Sequence, residues 1–325
     1  TNDTYTIELP LIAKTAAKLF PNREDFLWAS TKRERGKPPV GETASRFLPW
    51  AGFVAMRSDW GPNASYLCFD VGPLGIAHIH NDMLNINLFK GAEELIFDDG
   101  GGEYDDSEYR KYSIAAISHN TILVDGAGQR RREPRVSKEP IDAGYRSNNK
   151  FDYAFGIYDD VFGDNGETPA SHKREILFVK PDFFVIKDTM QSKDEKPHDY
   201  TMLLHLDTES VEVTSKTIQS HFGKKHDLYA LTLSEGVEVA AESGKINPLA
   251  GWYVGRTDKK LHKATTVKIK ASSKKDFRFL TLLFPVENGT PLPTAEKINQ
   301  TEWKITFNGT SVTLDLENLK DNASR

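Results

Sequence analysis

The strongest chemical signal in this chain is three ionisable residues set two apart: His78, His80 and Asp82. They fall in a stretch, 75–89, that alternates small or apolar residues with polar ones. That is the period-two pattern of a half-buried β-strand. Residues i and i+2 of a strand face the same way, so the pattern predicts the three on one face and Ile79 on the other. Such a face is costly to bury unless its groups meet a metal, a substrate or each other. The stretch reads as a site or as a buried polar network.

Partners for it lie downstream. Glu94 to Phe97 reads as a strand ending at Asp98 and Asp99, before a glycine-rich turn that leads to Tyr104. Tyr109, Arg110 and Tyr112 follow, then His119 and Asn120 at the mouth of a strand pattern from Thr121 to Val124. Histidines from two strands with one aspartate are a common ligand set for zinc, which takes imidazole nitrogen and carboxylate oxygen tetrahedrally. Arginine binds carboxylate or sulfate bidentately, and tyrosine offers a rigid sugar-contact surface with a polar tip. On residue types alone, polar groups satisfied within a sheet explain the cluster equally well.

The order of motifs adds to this. Gly-x-Ala-His-x-His-x-Asp-x-Leu begins at Gly75, Leu-Ile-x-Asp-x-Gly at Leu95, Arg-x-Tyr at Arg110 and His-Asn-Thr-x-x-Val-Asp-Gly at His119. Together they resemble the β-domain of the heparinase II/III polysaccharide lyases, from Trp50 to Gln129. Looser likeness continues at Lys173 and Arg174, from Leu204 to Asp207 and from Gly251 to Tyr253. The resemblance implies an all-β fold of stacked antiparallel sheets, a β-sandwich, joined in the family to an N-terminal α/α-toroid. It implies β-elimination on uronic-acid-containing polysaccharides, of heparin or heparan sulfate type or of alginate type.

Carried onto this sequence, the resemblance makes His78 catalytic and puts Tyr104, Tyr109 and Tyr112 all near the family's active-site tyrosine, of which Tyr112 is taken as catalytic. It makes His80, Asp98 and His119 the ligands of a structural zinc. Tyr104, Tyr109 and Arg110, lying between two of these ligands in sequence, read as substrate-binding or else as surface decoration. Asp99 stands where the family usually has proline, so Asp98 and Asp99 compete for the carboxylate position. Asp82 and Asn120 would hold ligand tautomers, as metal-bound histidine usually donates its other N–H to a fixed acceptor, or else cap turns. Elimination at a 4-linked uronate needs its carboxylate neutralised, a base for the C5 proton and an acid for the leaving oxygen. Histidine titrates near 6.5 and suits the first two tasks. A tyrosine suits the third if a nearby cation lowers its pKa.

The toroid is almost absent here, so the chain reads as processed or cut from something longer and as inactive alone. The rival reading is a non-catalytic carbohydrate-binding module that keeps the zinc as a clip. A hydrolytic metal-bound water is a further alternative, and an unsaturated uronate among the products separates elimination from it. A cupin-like oxygenase would need a different His-x-His pattern.

Composition narrows the partners. Across 325 residues, 42 Lys and Arg against 47 Asp and Glu give a net charge of −5. That excludes a generally basic nucleic-acid-binding face, so contacts to a polyanion must be local. The arginine-rich run from Gln129 to Arg135 is the obvious place, with a solvated loop as the plain alternative. The single Cys68 excludes an intramolecular disulfide and reads as a small buried hydrophobe. No run reaches the roughly 18 apolar residues of a membrane span, and no signal peptide is visible. A periplasmic or secreted bacterial location and a homodimer are expectations of the resemblance alone.

In order, residues 1–47 read as a helical remnant and linker: Pro10 opens a helix with an apolar stripe at Leu11, Ile12, Ala16, Leu19 and Phe20. Residues 48–325 read as the β-sandwich, with sub-layers at 48–190 and 191–325. Strand patterns recur at 53–57, 65–69, 94–97 and 121–124. They continue in two strands around a Pro-Asp turn from Arg174 to Lys187, and at 200–205, 228–233, 265–269, 277–284, 303–307 and 311–314, with Asn308-Gly309 as a hairpin turn. Trp252, His172 and His205 read as structural, and the sequons at Asn63 and Asn308 as chance.

Overall fold

The computed structural model describes residues 9–41, 43–75, 77–99, 105–130, 137–194, 196–255 and 260–324. Two helices open the chain, α1 (Leu9–Leu19) and α2 (Glu24–Ser30). Sequence patterning missed α2, whose Glu24 and Asp25 favour its positive N-terminal end. The stripe on α1 faces solvent: Leu11, Ile12, Leu19 and Phe20 are each more than half exposed.

The first sheet runs β1 (Arg46–Leu48), β2 (Phe53–Arg57), β3 (Ser65–Asp70), β4 (Ile86–Lys90) and β5 (Glu93–Ile96), each antiparallel to the next. Alternating burial on β3 turns Leu67 and Phe69 inward. The expected His-x-His strand is corrected here. Only its last residues, from Ile86, join a sheet; 77–85 is a loop. The reason is local, since Asn85 N donates to Asp82 O and closes a turn, and His78 and Leu84 take left-handed φ values of 55° and 67°. Those values are incompatible with a strand. Helix α3 (Glu108–Ile114), capped by Ser107 Oγ on Arg110 N, and a short 3-10 turn precede β6 (Ile122–Val124).

Longer strands follow: β7 (Arg146–Ser147), β8 (Phe151–Tyr158), β9 (Val161–Phe162), β10 (Thr168–Val179), β11 (Phe183–Ser192) and β12 (His198–Leu206). Next are β13 (Val211–Val213), β14 (Thr217–Ser220), β15 (His226–Thr232), β16 (Glu238–Ser243), β17 (Lys245–Ile246), β18 (Leu249–Ala250), β19 (Trp252–Val254) and β20 (Leu261–Lys263). The chain ends with β21 (Thr265–Ser273), β22 (Phe277–Glu287), β23 (Thr294–Lys297), β24 (Glu302–Phe307), β25 (Thr310–Asp315) and α4 (Leu319–Asn322).

Among the described residues a nine-stranded sheet has the order β13-β14-β15-β22-β11-β10-β8-β7, with β9 on β10, and a four-stranded sheet the order β16-β21-β12-β6. Late β22 sits between β11 and β15, and late β12 beside early β6, so residues 48–190 and 191–325 share sheets. The fold is all-β, built of stacked antiparallel sheets, as the sequence predicts.

The long sheet is buried on both faces. Ile176 and Phe178 join Phe69, Ile86 and Met202 in the main core, while Leu177 and Val179 face Phe183, Ile305 and Leu314 on the other side. Each fully buried side chain of this size contributes about 1.5–3 kcal/mol. The main core also takes in Phe69 of β3, Ile96 of β5 and Ile122 of β6, and so anchors the strands from which the loop after β3, the end of β5 and the entry to β6 project.

Candidate active site and metal centre

Those three segments converge. His80 and His119 are buried, with ring centroids 5.3 Å apart. One ligand atom from each of His80, Asp82 and His119 lies within 4.8 Å of the others. Asp98, at the end of β5, places Oδ1 2.6 Å from His119 Nδ1. His119 Nε2 has no hydrogen-bond partner among the described residues. Asp99 points elsewhere: it accepts from Tyr109 Oη at 2.5 Å and from Val254 N at 3.2 Å. Of the two competing carboxylates, Asp98 is therefore the one that touches His119, while the carboxylate clustered with both histidines is Asp82.

Charge is crowded here. Burial pushes the Asp70 carboxyl up, and repulsion from Asp82 pushes it further. Burial also raises Asp82, against the pull of His119 and with the push of Asp98. Burial acts on Asp98 and His119 too, but their mutual attraction and hydrogen bond outweigh it, holding Asp98 low and His119 high. Two buried imidazoles among several carboxylates, with one imidazole nitrogen free of a hydrogen-bond partner, form a donor set suited to a divalent cation. The residues present fit zinc.

His78 is set apart from this cluster. It is exposed, on a left-handed turn two residues before buried His80. A pleated strand would have turned both inward together; the loop separates them, one ring to solvent and one to the carboxylates.

The tyrosines are less exposed than a substrate surface requires. Tyr112 is buried, its hydroxyl beside Thr266 and the backbone of Gly251 and Trp252, and burial pushes its pKa up. Tyr109 is half-buried on Asp99, and burial followed by that carboxylate raises it as well. Burial lifts Asp99 itself to about 7. The expected lowering of a tyrosine pKa by a cation does not operate within this arrangement. Arg110 is half-buried on α3. Tyr104 lies outside the described residues, as do Arg131, Arg132 and Arg135 of the basic run; Arg130 reaches Asp160 at 3.4 Å.

Other expectations resolve simply. Burial pushes the Cys68 thiol up to about 11, so it stays protonated at neutral pH. Trp252 is half-buried and donates Nε1–H to Lys245 O. His172 bonds Asp188, and His205 sits between Asn120 Oδ1 and Ile117 O, pushed down to about 4 by burial. Both are structural, as read from sequence.

Sequence reasoning missed Arg174 and Asp188, which bond each other fully buried behind the site. A signal was available: His172, Arg174 and Ile176 occupy one face of β10, and Ile176 is core. An arginine in phase with a core residue must be paired inside.

A family profile described as Heparinase II/III-like, C-terminal, matches residues 41–303, so the chain belongs to that family. It is 22% identical over 289 residues to a heparin-sulfate lyase of Bacteroides stercoris, covering 85% of this chain and 39% of that protein. A heparin-sulfate lyase of Pedobacter heparinus is 24% identical over 176 residues, covering 53% of this chain and 25% of the relative. This chain thus spans well under half the length of either. Among solved structures, a mutant heparan sulfate lyase from Pedobacter heparinus superposes with a TM-score of 0.76 at 18% identity, over 96% of this chain and 49% of that one. The Heparinase III-BT4657 gene product superposes with a TM-score of 0.76 at 20% identity, over 96% and 48%.

Proposed function

We propose that this chain is the β-domain of a polysaccharide lyase that acts by β-elimination on a uronate-containing polyanion of heparan sulfate type. An α/α-toroid completes the groove, and the enzyme is exported. The observation that carries the reading is the exposed His78, two residues before the buried His80 of the His80–His119 pair. A metal clip alone has no use for that extra histidine.

His78 faces the reacting sugar, where a histidine can neutralise the C6 carboxylate or accept the C5 proton. The C5–H electrons become the C4=C5 bond, the C4–O bond breaks, and the departing oxygen takes a proton. Tyr112 is the expected proton carrier from the resemblance. Its burial means that it serves only if the toroid or substrate opens that side of α3. His80, His119 and Asp98, with Asp82 as fourth donor, would hold a zinc ion, which would supply positive charge that fixes the face beneath His78. Four protein donors make a closed structural centre.

Zinc per chain, measured by elemental mass spectrometry on the wild type and on His80→Ala, tests the metal; one ion in the former and none in the latter is expected. A folded wild type without zinc would reduce the cluster to a polar network. For the reaction, the protein containing its helical region is given heparan sulfate and products are followed by ultraviolet absorbance. Chain cleavage without an unsaturated uronate would replace elimination by hydrolysis.

A further inference from the structure

Arg174 is completely buried on β10. Its Nε donates to Asp188 Oδ1 at 2.6 Å and its Nη2 to Asp188 Oδ2 at 3.1 Å, which fixes the plane of the guanidinium. Nη1 then lies against two backbone carbonyls, Leu84 O at 2.6 Å and Asn120 O at 2.5 Å. Leu84 closes the loop that carries His80 and Asp82, and Asn120 directly follows His119. One nitrogen therefore ties together the two segments that bear the donor atoms.

Asn120 extends the tie. Its Nδ2 donates to Ile86 O at 2.8 Å and to Phe97 O at 2.7 Å, one residue before Asp98, and its own N–H donates to Asn85 Oδ1. Leu84 needs the restraint: its left-handed φ of 67° is unfavourable for a residue with a side chain. Hydrogen bonds hold it on both sides, from its N–H to Asp70 O and from Arg174 to its own O. A buried ion pair is weak evidence for stability, because apolar residues of similar volume serve as well or better. What apolar residues cannot do is accept geometry from one segment and impose it on two others.

We propose that Arg174 is a positioning residue: anchored by Asp188, it clasps the carbonyls of Leu84 and Asn120 and thereby sets the spacing of His80 and His119. The metal-affinity arm of the test rests on the zinc reading; the exchange arm does not. The test compares wild type, Arg174→Lys, the apolar pair Arg174→Leu/Asp188→Leu, and Lys180→Met as a control. Lys180 is a buried ion-pair partner of Asp152 outside this network. Zinc affinity is read by chelator competition, and hydrogen exchange by mass spectrometry on peptides covering 78–86 and 117–121.

Lysine keeps the counter-charge to Asp188 but cannot also reach both carbonyls, so Arg174→Lys loses about ten- to hundredfold in zinc affinity. Exchange in the two peptides accelerates while the sheets stay protected. The apolar pair behaves alike, which covers the case in which Arg174→Lys does not fold. Lys180→Met loses thermal stability but keeps zinc affinity within about twofold, since distant sites act independently. A folded Arg174 variant with wild-type affinity and exchange overturns the proposal, as does a Lys180→Met loss of affinity in step with stability. If the wild type binds no zinc, the metal reading falls, and exchange alone decides for or against the clasp.

Discussion

His78 and His80 are neighbours in sequence with opposite surroundings, and the site's chemistry divides between them. One ring is exposed, as a substrate contact requires, and the other is buried. In protein containing its helical region, His78→Ala should lower turnover by about a hundred- to ten-thousandfold, the usual worth of a positioned acid or base. Its zinc content should match wild type; loss of metal would mean that His78 belongs to the cluster instead. Asp98→Asn and Asp82→Asn should each lose zinc, and retention by either removes that carboxylate from the donor set. At this scale the sequence was informative where type and spacing are local. His78, His80, Asp98 and His119 were all nameable from motifs. The burial of Tyr112 was not, because it depends on Gly251 and Thr266 arriving from strands remote in the chain.

Elements were legible wherever a strand has one or two apolar faces: β2, β3 and β22 start where the patterns predict them. The turn between β10 and β11 lies at the predicted Pro-Asp, though both strands run beyond the predicted Arg174 and Lys187. The loop 77–85 imitated a strand because alternation counts polarity and not φ, and only the left-handed residues betray it. Its seat is close-packed: a Cβ on Gly156 of β8 would press into Leu84 Cδ2 and stand 3.1 Å from Val71 Cγ1. Gly156→Ala should therefore cost about 1–3 kcal/mol in urea unfolding through overpacking. An unchanged midpoint would show that the loop gives way freely.

The joint between β6 and β12 carries a different device. His198 places Nδ1 2.7 Å from Asp125 Oδ2 and Nε2 2.8 Å from Asp194 Oδ1. Burial lowers the ring's pKa, but hydrogen bonds to Asp125 and Asp194 outweigh it and the net shift is upward. The folded state thus favours the protonated ring, so its stabilisation is full below the ordinary value of about 6.5 and is lost as pH rises through the raised value. The urea midpoint of wild type should exceed that of His198→Gln most near about pH 5.5 and converge with it above neutrality. A gap independent of pH would contradict the ion pair.

Over the whole molecule, the sheets interleave early and late parts of the chain. A pattern of strands announces an all-β fold but not that β22 enters between β11 and β15 or that β12 flanks β6. Pairings of this kind follow from packing two faces of one long sheet, which no window along the sequence samples. Zinc bound only by the folded chain adds about 2.7 kcal/mol at a free concentration one hundred times its dissociation constant. A chelator should accordingly lower the unfolding temperature of wild type and leave His80→Ala unmoved.

The clasp at Arg174 also has a history in time. Leu84 and Asn120 lie 90 and 54 residues from Arg174 in the chain, and contacts that close loops of that length are expected to form slowly. The donor atoms are therefore expected to come into register late, beyond the folding barrier. Zinc should leave the refolding rate nearly unchanged and slow unfolding instead, since interactions absent from the transition state act on the unfolding limb. On the proposed zinc reading the ion would be a latch that closes on a finished structure, not a seed around which the chain first gathers.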